Sequence, residues 1–418
     1  MRFPKTLLAA AIAATLVGHG ALAQTHWVGT WGAAPSPQLQ TAEMESQKLV
    51  FHDQTLREIV HVSIGGDTVR VRLRIPSAQS LLKLTLPTWL SVRLIRASPL
   101  PPIAPSLSED AHASKSPLAP SSSVTPFSSK SLPPLTSRSV SISRKALSAV
   151  GIHYSAQQTS YIAHGDSTAT ASVDNPATIT SWVFLTGVDV LASAGSGSII
   201  AFGDSITDGA RSTVDSNHRW PDTLAARLLA RQSGPPLAVV DVGIGGNRIL
   251  HEGAASKRPQ FGINALARFD QDVLSQPGVR YLLILEGIND IGHAGSSAPA
   301  SDAVTADDII AGLNQMIERA HERGVKVMGA TITPFEGEAN IKRGYWTPEK
   351  AKVREAVNAW IRSGKGFDGF VDFDKVVRNP ANPNKLLPAF DSGDQLHPSD
   401  AGYKAIGEAI PLSLFGLK

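Results

Sequence analysis

Cysteine is absent from this chain of 418 residues, which excludes disulfides, thiolate metal sites and a cysteine nucleophile. Apolar runs long enough to span a bilayer are missing too. A third absence concerns charge. The formal net charge is only +3, and the excess is local: residues 76–150 hold eight Lys and Arg against two Asp and Glu, leaving 31 basic and 34 acidic residues elsewhere. No basic patch interleaved with aromatics stands out, so the electrostatic footprint of a nucleic-acid binder is excluded. Glycine is scarce in one region alone, with none between Gly66 and Gly151 in a chain that has 35.

What is present begins with a short positive region (Arg2 and Lys5), an apolar run from Leu7 to Val17 and the small-residue pattern Ala21-Leu22-Ala23. In that order these features read as an export signal over residues 1–23, cut ahead of Gln24 and too short for a spanning helix. The expected location is periplasmic or secreted, with no stable membrane insertion. The remaining length suffices for two domains.

Residues 24–190 predict a β-rich accessory domain. The stretch "LREIVHVSIGGDTVRVRLR" reads as two strands joined in a tight hairpin at Gly65-Gly66-Asp67. In the second strand Val69, Val71 and Leu73 alternate with Arg70, Arg72 and Arg74, the period of a half-buried strand. Residues 76–150 break the pattern with 19 serines and 11 prolines, a density that defeats helices and central strands. This anomalous segment reads as disorder or as the product of two compensating reading-frame shifts, although "LLKLTLPTWLSVRLI" is too apolar for an ordinary linker. β-like sequence resumes in "GIHYSAQQTSYIA" and "TITSWVFLTGVDVL". The accessory domain is expected to pack poorly if the segment is genuine, and the second domain to keep a separate core.

Across residues 197–418 apolar runs alternate with helical periodicities. Strands are expected at 198–202, 237–242, 279–285, 325–331 and 369–373, and helices at 221–231, 265–274, 306–323, 348–363 and 400–412. Pro221 and Pro348 fall where a first helical turn tolerates proline. Strands alternating with helices of this length imply α/β architecture, a parallel sheet covered on both faces.

In such a sheet, ligand sites form beyond the carboxyl ends of the strands. The first strand exits into Gly203-Asp204-Ser205, the second into "GIGGNRI" and the third into "EGIND", while "GDQLHPSDAGY" precedes the last helix. Ser205 is the candidate nucleophile. A serine hydroxyl needs an adjacent base, normally an imidazole held by a carboxylate, and Asp394 and His397 lie three residues apart in one loop. A carbonyl under attack needs preorganised donors, which the backbone of the glycine-rich exit loop and the Asn289 amide can supply. Each signal alone has a plainer reading as a turn, a helix cap or a loop histidine. Four in order favour catalysis. Asp204 and Asp208 are expected to fix the turn and cap its helix, and Arg248 and His251 are candidates for substrate contact. Trp220 and Trp346 suit a substrate groove or a core equally. His218, His251, His293 and His321 show no metal-ligand spacing, so neither metal nor organic cofactor is expected.

The set "GDSITDG", "GIGGN", "GIND" and "DQLHP" resembles the four sequence blocks of the SGNH/GDSL hydrolase superfamily, across Ser198 to Lys418. The resemblance implies a flavodoxin-like three-layer α/β/α domain. It also implies Ser205 as nucleophile and, through its own N–H, as oxyanion donor. Gly246 would be the second backbone donor, with Gly245 the alternative, and Asn289 the side-chain donor. Asp394 would orient His397, the base. The activity implied is that of a serine esterase working through an acyl-enzyme. "HWVGTWGAAPSP" and the N-terminal β region are similar to exported bacterial members with an added β-domain, some of them esterases on plant polysaccharides. The expected partner is a small-molecule or polysaccharide ester, first among them short acyl (acetyl) esters of polysaccharide. Lipid or longer acyl esters are the alternative, and a non-catalytic carbohydrate-binding protein is the alternative of another class.

Overall fold

The computed structural model describes residues 26–417 apart from 67, 168–171, 254–256, 338–343 and most of 75–150. The export-signal reading of residues 1–23 lies outside the described residues, as does the bulk of the anomalous segment. Within that segment the backbone is described as strand at Val92–Arg96, Ser114–Lys115, Thr136–Ile142 and Leu147–Ser148. All four fall in proline-free stretches, which is the physical reason strands occur where the average composition argues against them.

From residue 197 onward five parallel strands lie in the order Leu237–Asp241, Gly197–Gly203, Val279–Leu285, Lys326–Ala330, Gly369–Val371. The second strand in sequence thus sits on the far side of the first, and the winding reverses beside Gly197–Gly203. In open parallel sheets that reversal leaves a crevice at the carboxyl ends. Gly197–Gly203 is buried at every position, as a strand covered on both faces must be. Helix Trp220–Leu229 packs on Asp400–Ala409, and Ala306–His321 on Pro348–Arg362, completing the flavodoxin-like three-layer arrangement. One expected helix differs: Ala265–Phe269 is α-helical, but Asp270–Leu274 widens into a π-turn, a feature frequent near functional sites.

The N-terminal region forms antiparallel sheets. One runs His26–Gly32, Leu185–Ala192, Thr68–Leu73, Ser114–Lys115; the other runs Ala177–Ile179, Ser160–His164, Gln54–Val60, Thr136–Ile142, Val92–Arg96. The expected hairpin at Gly65-Gly66-Asp67 does not form, because Gln54–Val60 and Thr68–Leu73 belong to different sheets. The link between them is held by other partners. Ser63 Oγ lies 2.7 Å from Thr30 O and accepts from Val239 N at 2.9 Å, while Thr30 Oγ1 donates to Ile64 O at 2.7 Å. In Thr68–Leu73 the alternation holds: Val69, Val71 and Leu73 pack on the cluster around Trp31 and Trp182. On the opposite face Arg70 and Arg72 meet the fully buried Asp189 at 2.9 and 3.2 Å.

The clusters around Phe51 and around Trp31 draw on the β-rich region alone, yet the two cores are not as fully separate as expected. Val28, Ile64, Val190 and Ala192 share one apolar cluster with Ala238 of the parallel sheet, and Ala34 lies within the main hydrolase core. Gly29 N donates to Pro277 O at 2.8 Å, and Ser198 Oγ donates to Gly29 O at 2.9 Å. Strand His26–Gly32 packs its Val28 side against Ile64, Val190, Ala192 and Ala238. Burial of that face joins the two domains.

Candidate active site

The strand Gly197–Gly203 ends where a side chain cannot be accommodated: a Cβ at Gly203 would lie 2.2 Å from Leu285 O and 2.3 Å from Thr207 Oγ1. The chain then turns at once into a single helical turn, Ser205–Asp208, capped as expected by the Asp204 carboxylate, which accepts from Ile206 N at 2.9 Å. Ser205 therefore opens a helical turn at the carboxyl end of the sheet. Asp208 does not cap the turn. Its Oδ1 lies 2.8 Å from His153 Nε2, a residue of the β-rich domain.

Across the crevice, the loop before the last helix is wound tightly by its own carboxylates. Asp391 Oδ1 accepts from Gly393 N and Gln395 N, each at 2.9 Å. Asp394 Oδ1 accepts from Leu396 N at 3.1 Å and His397 N at 2.8 Å. This winding aims His397 at the serine. Its Nδ1 lies 2.7 Å from Asp394 Oδ2 and its Nε2 2.8 Å from Ser205 Oγ. Burial alone would raise the pKa of Asp394, but the hydrogen bonds and charge of His397 and the two backbone N–H bonds hold it well below the usual carboxylate range. An ionised Asp394 accepts a hydrogen bond from Nδ1–H, which keeps that proton on Nδ1 and assigns Nε2 as the acceptor for the serine hydroxyl. Arg211 Nε donates to the same Asp394 oxygen at 3.2 Å.

The third strand exit supplies the amide. Asn289 Nδ2 donates to Asn247 O at 3.0 Å, while its Oδ1 accepts from Tyr345 Oη at 2.8 Å and from His293 Nε2 at 2.9 Å. An amide nitrogen carries two protons, so one remains for a ligand. Burial, followed by the charges of Arg248, Lys350 and Arg258, pushes the pKa of His293 down to about 3. The ring is therefore neutral, and its single proton sits on Nε2 facing Asn289. At the second strand exit, a Cβ at Gly245 would sit 3.9 Å from Ser205 Cβ, while Gly246 takes φ +79° and backs onto Phe261.

Beneath this surface a buried guanidinium joins the exits. Arg268 donates to Gly203 O at 2.9 Å, Val242 O at 2.7 Å, Asn247 Oδ1 at 2.8 Å and Asp272 Oδ2 at 3.1 Å. Asp290 joins the third exit to the second by accepting from Ile249 N at 2.8 Å and Leu250 N at 3.0 Å. Sequence reasoning missed Arg268, Asn247 and Tyr345. The one available signal was an arginine set within an apolar helical periodicity. Arg248, expected to touch substrate, is turned away: it is buried, with Nη1 on Asp302 at 2.8 Å and Nη2 on Glu252 O. Trp220 is a fully buried core residue. Among the described residues no group of three or more His, Asp or Glu side chains is arranged to hold a metal ion.

Residues 201–405 match the model of the GDSL-like Lipase/Acylhydrolase family. Solved structures similar to the chain include an acetylxylan esterase from Geobacillus stearothermophilus, at 23% identity and TM-score 0.38 over 54% of this chain and 96% of that one. An aryl esterase from M. smegmatis aligns at 18% identity and TM-score 0.41 over 53% and 100%, and a GDSL-like lipase from Bacteroides thetaiotaomicron at 20% and 0.34 over 52% and 88%. Among curated proteins none matches. Residues 201–405 thus form a GDSL-like lipase/acylhydrolase domain, and through it the chain is a carboxylic ester hydrolase.

Proposed function

We propose that the protein is an exported serine esterase that removes short acyl groups, acetyl first, from polysaccharide by way of an acyl-enzyme on Ser205. The observation that carries this reading is the unbroken chain Ser205 Oγ–His397 Nε2–Asp394, with links of 2.8 and 2.7 Å. His397 takes the hydroxyl proton as Ser205 Oγ bonds to the ester carbonyl carbon, and Asp394 stabilises the imidazolium. The oxyanion is held by the Ser205 N–H, a loop glycine N–H and the remaining Asn289 amide proton. His397 then protonates the leaving alcohol. Water, activated by the same imidazole, releases the acid. Ser205 is only 8% exposed, which favours a small acyl group over a long chain. The residues 1–23 pattern and the N-terminal resemblance favour a polymeric substrate outside the cytoplasm.

The test is a chain-length series of p-nitrophenyl esters beside acetate release from acetylated xylan, for wild type and Ser205→Ala. The expected result is fastest turnover of acetate esters, acetate released from xylan, and loss of at least ~10³-fold in kcat in the variant. Undiminished hydrolysis by Ser205→Ala overturns the mechanism. A maximum at long acyl chains replaces the polysaccharide substrate with a lipid one.

A further inference from the structure

The β-rich domain reaches the segment that follows Ser205. His153 Nε2 bonds Asp208 Oδ1, at the end of the Ser205 helical turn. Ala156 O accepts from Arg219 Nη2, and that guanidinium stands 5.3 Å over the Trp182 ring. Gln157 O accepts from Asp215 N at 3.0 Å, and the Asp215 carboxylate accepts from Gln158 Nε2, Thr159 N and Thr159 Oγ1 at 2.5, 2.6 and 2.7 Å. The opposite side of this segment meets the His397 half of the site. Arg211 bonds Asp394, Ala210 O accepts from Tyr403 Oη at 2.7 Å, and Thr213 N donates to Asp400 Oδ1 at 2.9 Å. Residues 209–219 are thus gripped from both flanks.

Of the contacts made by the β-rich domain, that of His153 falls closest to Ser205 along the chain, at Asp208 three residues on. The ring is 4% exposed and packs 5.5 Å from Trp182. Its Nδ1 lies 3.1 Å from Ala34 O, so both nitrogens face acceptors, an arrangement that favours the doubly protonated, charged ring. Burial opposes that charge, yet the Asp208 carboxylate, by charge and hydrogen bond, leaves the imidazole more basic than usual. At 2.8 Å the pair is well aligned, and with Asp208 Oδ2 buried and without a hydrogen-bond partner, His153 is what fixes the Asp208 carboxylate. We propose that His153 is a positioning residue for Ser205: through Asp208, the β-rich domain holds the helical turn of the nucleophile in register with His397. This rests on the esterase reading above. Displacement of a reacting group by about 1 Å costs on the order of 10²-fold in rate, which sets the scale of the effect.

Two near-isosteres separate the two bonds of the ring in the full-length protein. Gln places an amide N–H where Nε2 stands, toward Asp208; Asn places one where Nδ1 stands, toward Ala34. With p-nitrophenyl acetate, His153→Asn is expected to lose roughly 10- to 100-fold in kcat at unchanged KM. Its rate of Ser205 labelling by a fluorophosphonate should fall by the same factor, whereas His153→Gln stays within about threefold of wild type. Asp208→Ala, made from the hydrolase side, should repeat the loss of His153→Asn. Wild-type kcat and labelling in His153→Asn or in Asp208→Ala overturn the proposal. So does an equal loss in Gln and Asn variants that only follows the folded fraction seen by circular dichroism. Wild type that neither turns over ester nor takes the probe overturns the esterase reading beneath it as well.

Discussion

Asn289→Ala is the perturbation that bears most directly on how the oxyanion is held. The side chain is 3% exposed and makes three hydrogen bonds, of which only one uses its nitrogen. Truncation removes the remaining donor, and loss of one such donor lowers kcat by about 10²–10³, equivalent to roughly 3–4 kcal/mol of transition-state stabilisation. It also strips Tyr345 and His293 of this acceptor and Asn247 O of this donor. Buried groups so deprived cost about 1–3 kcal/mol each, so stability falls along with rate. The two effects separate in the assay: kcat and KM for p-nitrophenyl acetate well below the unfolding transition, beside urea unfolding. Tyr345→Phe is the companion. It leaves the amide oxygen held by His293 and the nitrogen by Asn247 O, and the expected loss is about five- to tenfold in kcat with KM unchanged. Folded Asn289→Ala with kcat within about threefold of wild type would refute the reasoning, because the amide would then not face the developing charge.

The remaining predictions concern the turn and the glycine loop. Burial raises the pKa of Asp204 to about 7, so the native state keeps a proton that the unfolded chain releases near pH ~4. The stabilisation is complete below that lower value, declines as pH rises and is gone above the higher one. Between pH 5 and 8 wild type loses roughly 3 kcal/mol on this account, and Asp204→Asn, which still accepts from Ile206 N, does not. The urea midpoint of the variant should therefore exceed that of wild type by more at pH 8 than at pH 5; an equal difference at both sinks the argument. At Gly246 a Cβ would fall 2.3 Å from Phe261 Cδ1 with φ at +79°, whereas at Gly245 nothing lies nearer than 3.8 Å. Gly246→Ala should lower stability by about 2–3 kcal/mol and Gly245→Ala by less than ~0.5; a thermal melt in which both behave alike contradicts the loop geometry.

The strand exits were legible because each couples a glycine-bearing turn to a run of apolar residues, and the sheet topology does the rest. Ser205, Asn289, Asp394 and His397 were named from that logic; the structure links Ser205, His397 and Asp394 by hydrogen bonds and ties Asn289 to the second strand exit at Asn247 O. Other features left no such trace. Gly65-Gly66-Asp67 signals a change of direction but not the sheet in which the chain continues, so pairing Gln54–Val60 with Thr68–Leu73 failed. Arg268 spends two of its four hydrogen bonds on backbone carbonyls at two separate strand exits, and carbonyls carry no sequence signature. Arg248 looked available beside the glycine loop, but its partner Asp302 lies 54 positions away. His153 stands 55 positions before Asp208, in a region whose pattern spoke only of strands. Long-range polar pairs of this kind have no period to detect.

The sewing of Ser63 onto Val239 has a consequence for any attempt to isolate the hydrolase half. Leu237–Asp241 is the outermost strand of the parallel sheet, and one of its flanks is therefore unpaired by other strands of that sheet. Ser63 satisfies Val239 there, and the apolar side of His26–Gly32 shelters the neighbourhood. Excision at residue 197 would uncover a ready template for recruiting another chain, so the fragment would precipitate or self-associate before its catalysis could be judged.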